Sequence, residues 1–230
     1  MELQPFIHYF VFQSAFMTHN DPSIEAINDI RQIMERSSRF LSLSGWSGIM
    51  AGIFSLLASF IAYLWIYGGQ SRPGNEIFDF HRSMDLLLNL SLLALGVLVA
   101  TLAFAIFFTS RQAKRDHQKV WNPASRRLVI NLFVPMIAGA IFIAAMVYQG
   151  SWEFIAGASL VFYGLGLVNA AKFTLSDVRI VGYLEILTGL TSLFYPAYGL
   201  FFWAFGFGII HLFYGILMYF KYDMKPNDSN

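Results

Sequence analysis

No cysteine occurs in the 230 residues, which excludes disulfides, thiolate nucleophiles and cysteine-ligated metals. Charge is scarce as well: Asp, Glu, Lys and Arg make up 13% of the chain, where roughly 25% is usual for a soluble domain. So few polar groups cannot cover a globule of this length, and a water-soluble fold is excluded. A net charge of +1 gives no basic field for nucleic acid. Walker, zincin, EF-hand and dinucleotide fingerprints are absent. What the chain has in quantity is apolar surface: 57% of residues are hydrophobic, with 24 Phe, 11 Tyr and 5 Trp, far too much for a disordered chain. These figures describe a single all-α integral membrane protein.

A membrane-crossing helix needs about 20 largely apolar residues. Six such runs occur: Leu43 to Tyr67, Leu86 to Phe108, Leu128 to Tyr148, Phe154 to Ala171, Ile180 to Tyr195 and Leu200 to Phe220. Pro196-Ala-Tyr-Gly199 separates the last two and Gln149-Gly-Ser-Trp-Glu153 separates the third and fourth, so tight turns predict hairpins. Orientation follows from the basic residues, which cytoplasmic loops retain during insertion. Arg31, Arg36 and Arg39 precede span one; Arg111, Lys114, Arg115, Lys119, Arg126 and Arg127 lie between spans two and three; Lys172 and Arg179 follow span four; Lys221 and Lys225 follow span six. With both termini cytoplasmic, thirteen of the fifteen Lys and Arg are inside, and only Arg72 and Arg82 are outside. Trp65, Trp152 and Trp203 then fall near the outer headgroups, where indoles anchor.

Residues 1–39 precede the transmembrane domain (40–220), and residues 221–230 form a polar cytoplasmic tail. Met1 to Phe16 lacks the basic start and cleavage site of a signal peptide and is too short to span; either it lies at the interface or Met17 is the true initiator. Asp21-Pro22-Ser23 is a helix start, followed by Ile24, Ile27, Ile30 and Met34 on one face and Glu25, Asp29, Arg36 and Arg39 on the other. This predicts a cytoplasmic amphipathic helix over about 22–39.

Internal similarity is visible in the glycines. Phe162-Tyr163-Gly164 recurs as Phe213-Tyr214-Gly215, 51 residues on, and Gly157 and Gly208 share that offset. Gly139 and Gly189 are 50 apart, and Gly45 and Gly52 have the spacing of Gly182 and Gly189. The pattern predicts three hairpins with parallel internal repeats, its small residues letting helices approach closely. The stretch from Ile186 to Ile216, with Gly in both helices and Pro196 in the outer turn, resembles the short repeat of the HdeD-type acid-resistance membrane proteins. From about Ser37 onward the chain is similar to uncharacterised bacterial six-span membrane proteins. The resemblance implies a small bacterial inner-membrane protein linked to stress tolerance and supplies no mechanism.

Ionisable groups inside the spans cost roughly 2.5–3.5 kcal/mol each to insert and mark candidate sites. Glu185 lies about 8 Å and Asn169 about 4 Å from the cytoplasmic boundary, and His211 about 14 Å deep, at ~1.5 Å per residue. Glu185, Asn169, Lys172 and Asn131 are expected to face one cytoplasmic pocket, with His211 as its floor if it points toward them; Tyr163 and Tyr214 of the repeated triplets complete the candidate ligand or ion pathway. Glu185 and His211 can act as a proton-responsive pair, or Glu185 can simply pair with Lys172 and His211 donate to a carbonyl. One His and one Glu fall short of a metal site. The aromatics from Tyr195 to Phe220, beside Gly206 and Gly208, either pack against lipid and neighbouring helices or line a slot for a flat lipophilic molecule such as a quinone, carotenoid or sterol-like lipid.

Three functions follow. The first, carried forward, is a non-enzymatic inner-membrane protein, stress-related or binding a small lipophilic ligand, without cofactor or metal; its expected partners are membrane lipids, that ligand and further copies of the chain. The second is a small proton-coupled transporter or channel using Glu185 and His211. The third is an intramembrane hydrolase: Gly157-Ala-Ser159 and His211 are superficially similar to the Ser and His of rhomboid proteases, although Leu160 stands where a Gly follows that Ser.

Overall fold

The computed structural model describes residues 44–68, 84–115 and 120–223. The amino-terminal segment with its expected amphipathic helix, the loop bearing Arg72 and Arg82 and the end of the tail lie outside the described residues. Among those described, the structure is helical and contains no strand. The helices are α1 (Gly45–Tyr67), α2 (Met84–Arg115), α3 (Pro123–Tyr148), α4 (Ile155–Ala170), α5 (Asp177–Phe194), α6 (Gly199–Trp203) and α7 (His211–Met218). A π-helical segment, Ala204–Ile210, joins α6 to α7, so one helical rod runs without a break from Gly199 to the second π-helical segment, Tyr219–Asp223.

Several boundaries exceed the hydrophobic runs for local reasons. α3 begins at Pro123 because Asn122 caps it: the Asn122 Oδ1 accepts from the Ser125 amide at 2.8 Å, while the Ser125 hydroxyl accepts from the Asn122 amide at 2.9 Å. α2 runs on to Arg115, placing Lys114 and Arg115 against the negative end of its dipole. The turn after α3 needs Gly150, whose φ of 76° lies where side chains strain, and the Gly150 and Ser151 amides satisfy the carbonyls of Val147 and Met146.

Among the described residues, five helical stretches are long and apolar enough to cross a membrane: Gly45–Tyr67, Leu86–Arg115, Pro123–Tyr148, Trp152–Phe173 and Pro196–Tyr222. They define a helical, membrane-embedded protein. α5 is shorter, at 18 residues, carries Asp177, Arg179 and Glu185, and is not among them. The distribution of side chains is the reverse of a soluble domain: Leu92 is 65% and Phe194 82% exposed, while the interior is built largely of Gly, Ala and Ser. Lipid covers such an exterior at no cost, and small residues inside allow backbone-to-backbone packing.

Two seams carry that packing. Along α4 and α5, a Cβ on Gly164 would lie 2.6 Å from the Gly182 carbonyl oxygen and one on Gly182 would lie 2.8 Å from that of Gly164; Gly157 and Gly189 oppose each other in the same way, at 3.0 and 2.8 Å. Along α1 and the last rod, a Cβ on Gly52 would lie 2.8 Å from the Gly208 carbonyl oxygen, and one on Gly48 would lie 2.9 Å from the Gly215 Cα. The glycines related by 51 residues, Gly157 and Gly208, and Gly164 and Gly215, thus hold equivalent places in two helix contacts. α3 packs on α4, with Phe142 against Phe162, and α2 packs on α1, with Phe104 on Phe54 and Phe108 on Trp46. α2 and α3 make no extensive contact with each other, and Gly96, the single glycine of α2, has nothing within 4 Å of where a Cβ would stand.

Candidate functional site

Three helical segments bring Tyr163, Glu185 and His211 together. The seam between α4 and α5 turns Glu185 inward, where it is 0% exposed, and His211 opens α7 directly after the π-helical segment, 7% exposed. The Tyr163 hydroxyl lies 2.8 Å from Nε2 of His211. Nδ1 of His211 lies 3.2 Å from the Gly206 carbonyl oxygen and 3.2 Å from Oε1 of Glu185. A carbonyl oxygen only accepts, so its contact requires the proton on Nδ1; in the neutral imidazole Nε2 then accepts from the Tyr163 hydroxyl. Glu185 is left in ionic proximity to the imidazole, with neither carboxyl oxygen in an aligned hydrogen bond.

Gly206 makes this arrangement fit. A Cβ there would lie 2.5 Å from Oε2 of Glu185 and would also strike Leu160, so the carboxyl occupies the space a side chain would fill. The wider π-helical turn accommodates it, in keeping with the association of such turns with functional sites. Phe207 packs over the group, with ring centroids 5.0 Å from Tyr163 and 6.1 Å from His211, and Trp203 packs on Phe207 at 5.0 Å.

The other candidate residues stand elsewhere. Asn169 donates to the backbone and side-chain oxygens of Asn131, each at 3.0 Å, and Lys172 reaches Asn169 at 3.5 Å, tying α4 to α3. Of the residues expected to face one pocket, Glu185 meets His211, while Asn169, Lys172 and Asn131 bond to one another. Tyr214 packs with Ala171, Leu175, Val178 and Met218, so the two tyrosines of the repeated triplets have different surroundings. Of the two alternatives for the aromatic stretch, packing holds at the glycines: Glu185 and Leu160 fill the space beside Gly206, and Leu56 that beside Gly208. Ser159 donates back to the Ala156 carbonyl at 2.8 Å and does not meet His211.

At the charged end of α5, Lys221 donates to both Asp177 oxygens, at 3.0 and 2.9 Å, and the Tyr222 hydroxyl donates to one at 2.9 Å. The Lys221 hydrogen bond, assisted by Tyr222 and opposed by partial desolvation, holds the Asp177 carboxyl below its usual range. A depressed carboxylate contributes stability that is complete above its unfolded pKa and is lost as pH falls through the folded one. Asp177→Asn is accordingly expected to lower stability at neutral pH by less than about 1 kcal/mol, as exposed pairs do, and to flatten the acid limb of a thermal-stability profile.

A cavity of about 490 Å³ lies beyond Trp203 from the histidine. It is walled by Ala58 and Ala62 of α1, Leu90 and Ala94 of α2, Ile143 of α3 and Ala156 and Ser159 of α4, and bordered by the turn residues Pro196 and Ala197. Tyr67, Trp152, Glu153 and Trp203 also line it. Sequence reasoning missed this site and Glu153 with it; an acidic residue in a tight turn between two apolar runs was the available signal.

The fold and interior define a membrane-embedded helical protein whose described residues include a buried polar chain and an apolar cavity. No protein family matches the chain, and no curated protein or solved structure shows significant similarity to it. Among the described residues, no cluster of His, Asp and Glu could hold a metal ion.

Proposed function

We propose that this protein is a non-enzymatic, multi-pass inner-membrane protein that binds a small lipophilic molecule in the cavity between α1, α2, α3 and α4. On this reading α5 is a sixth span, whose inward Glu185 is covered by its neighbours, and the chain is three hairpins, α1–α2, α3–α4 and α5 with the last rod. The second helix of one hairpin meets the first of the next through glycine at two junctions. The third junction, α2 with α3, has no such seam, and a ligand reaches the cavity sideways from the lipid through it. Both termini are cytoplasmic, which puts the cavity in the outer half of the bilayer, where the surplus of Lys and Arg on the opposite side supports it. Membership of the HdeD-type proteins would make ligand binding part of stress tolerance.

The observation that carries this reading is the cavity itself: its volume falls within the roughly 300–1,000 Å³ usual for small-molecule sites, and its walls are mainly apolar with few polar groups. Trp152 and Trp203 provide a direct readout. In a variant with Phe at positions 46, 65 and 121, 1-bromododecane is expected to quench these two indoles saturably in lipid nanodiscs. Ala94→Phe, which fills the cavity from an already exposed position on α2, should weaken that quenching ~tenfold without lowering the unfolding midpoint. Linear, unsaturable quenching identical in both proteins would sink the proposal.

The Tyr163–His211–Glu185 chain favours a second reading, a proton-coupled carrier. It requires pH-dependent flux in vesicles that Glu185→Gln abolishes.

A further inference from the structure

We infer that the ligand of this cavity is a cationic amphiphile, an apolar chain bearing a protonated amine, and that Glu153 recognises its head. The inference rests on the proposed ligand-binding role of the cavity. Glu153 lines the cavity, and its Oε2 is shut off from solvent with no hydrogen-bond partner. An acceptor shut off from water without a donor is unfavourable, so this oxygen of the half-buried Glu153 is open to a donor. Among the described residues, no Lys, Arg or His lines the cavity to meet it.

The geometry around the carboxyl specifies the donor further. Tyr67, Trp152 and Trp203 line the same cavity, and aromatic faces attract an ammonium while giving nothing to a carboxylate. The Trp152 indole N–H is already committed to the Val147 carbonyl at 2.9 Å, so its polar edge does not compete for an anionic head. The terminal torsion of a glutamate is broad and nearly two-fold, so a small rotation presents either oxygen to a bound head. Glu153 sits in the turn at the mouth of α4, and Ala58, Ala62, Ala94 and Ile143 supply apolar walls for the tail. A fatty acid would put a second carboxylate beside Glu153 and is rejected by the same group. Asn131, Asn169 and Lys172 are bonded to one another, and Lys221 is bonded to Asp177; neither set lines the cavity.

The test uses the full chain carrying only Trp152 and Trp203, in nanodiscs of neutral phosphatidylcholine, with three probes: 12-bromododecylamine, 12-bromododecanoic acid and 1-bromododecane. The amine is expected to saturate quenching at a concentration ~tenfold or more below either other probe, the range of a charge-assisted hydrogen bond. Glu153→Gln should bring the amine to the level of the bromoalkane, and Glu153→Asp should keep part of the preference; comparing variants in one lipid removes differences in partitioning. If the amine has no advantage, or keeps it in Glu153→Gln, while Ala94→Phe still weakens all three probes, the assignment of the head is overturned and the cavity reading stands. If no probe saturates in the parent protein, the cavity reading itself has failed.

Discussion

Gly215→Ala is expected to cost about 3 kcal/mol of folding stability, the upper end of what an added methylene costs in a packed interior, and Gly164→Ala about the same. At both positions the new Cβ would press on backbone: on Ile49 and Gly48 at Gly215, and on the Gly182 carbonyl oxygen and the Ile186 amide at Gly164. Backbone inside a helix cannot turn aside as a side-chain tip can, so the whole helix pair must separate and its close contacts are lost together. Gly96→Ala is the control, since nothing lies within 4 Å of the position. There the substitution removes a poor helix former and is neutral, or stabilising by up to ~1 kcal/mol. Unfolding midpoints in a mild detergent, titrated with a denaturing one, would measure all three. Equal midpoints for Gly164→Ala, Gly215→Ala and Gly96→Ala would contradict the glycine seams.

His211→Phe is expected to cost about 3 kcal/mol or more, because it leaves Glu185 buried without the imidazole that offsets its desolvation and leaves the Tyr163 hydroxyl without its partner. The cost belongs to the stranded partners and not to a lost volume. Replacing all three groups with apolar residues of similar shape, Tyr163→Phe, Glu185→Met and His211→Phe together, should therefore recover most of it, as happens when both sides of a buried pair are removed. The recovery is a coupling that separate sites would not show. A triple variant no more stable than His211→Phe alone would mean that the three groups do not act as one unit.

Much of the architecture was legible because burial in lipid leaves long apolar runs and demands small residues where helices touch. The five long helices, the turns at Gly150 and Pro196 and the importance of the glycines spaced by 51 residues follow from that. Helix length beyond the membrane was less legible, since Asn122 and Ser125 extend α3 through local hydrogen bonds that hydropathy does not register. Depth along a straight helix separated Glu185 from His211 by about 6 Å at ~1.5 Å per residue, a gap that their side chains and the π-helical turn close. Depth alone also grouped Glu185 with Asn169 and Lys172; rotation about the helix axis, fixed by the Gly164–Gly182 contact, sends them to different neighbours. The cavity was not legible at all. It arises where α2 and α3 fail to meet, and a missing contact leaves no pattern in either helix.

Native mass spectrometry of the full chain, released from nanodiscs assembled with its own membrane lipids, tests the central claim most directly. The account predicts that the parent protein retains one lipophilic molecule of cationic, amine-bearing character, and that Ala94→Phe emerges without it. A parent protein that emerges empty, or one whose adducts are unchanged by Ala94→Phe, would contradict the account.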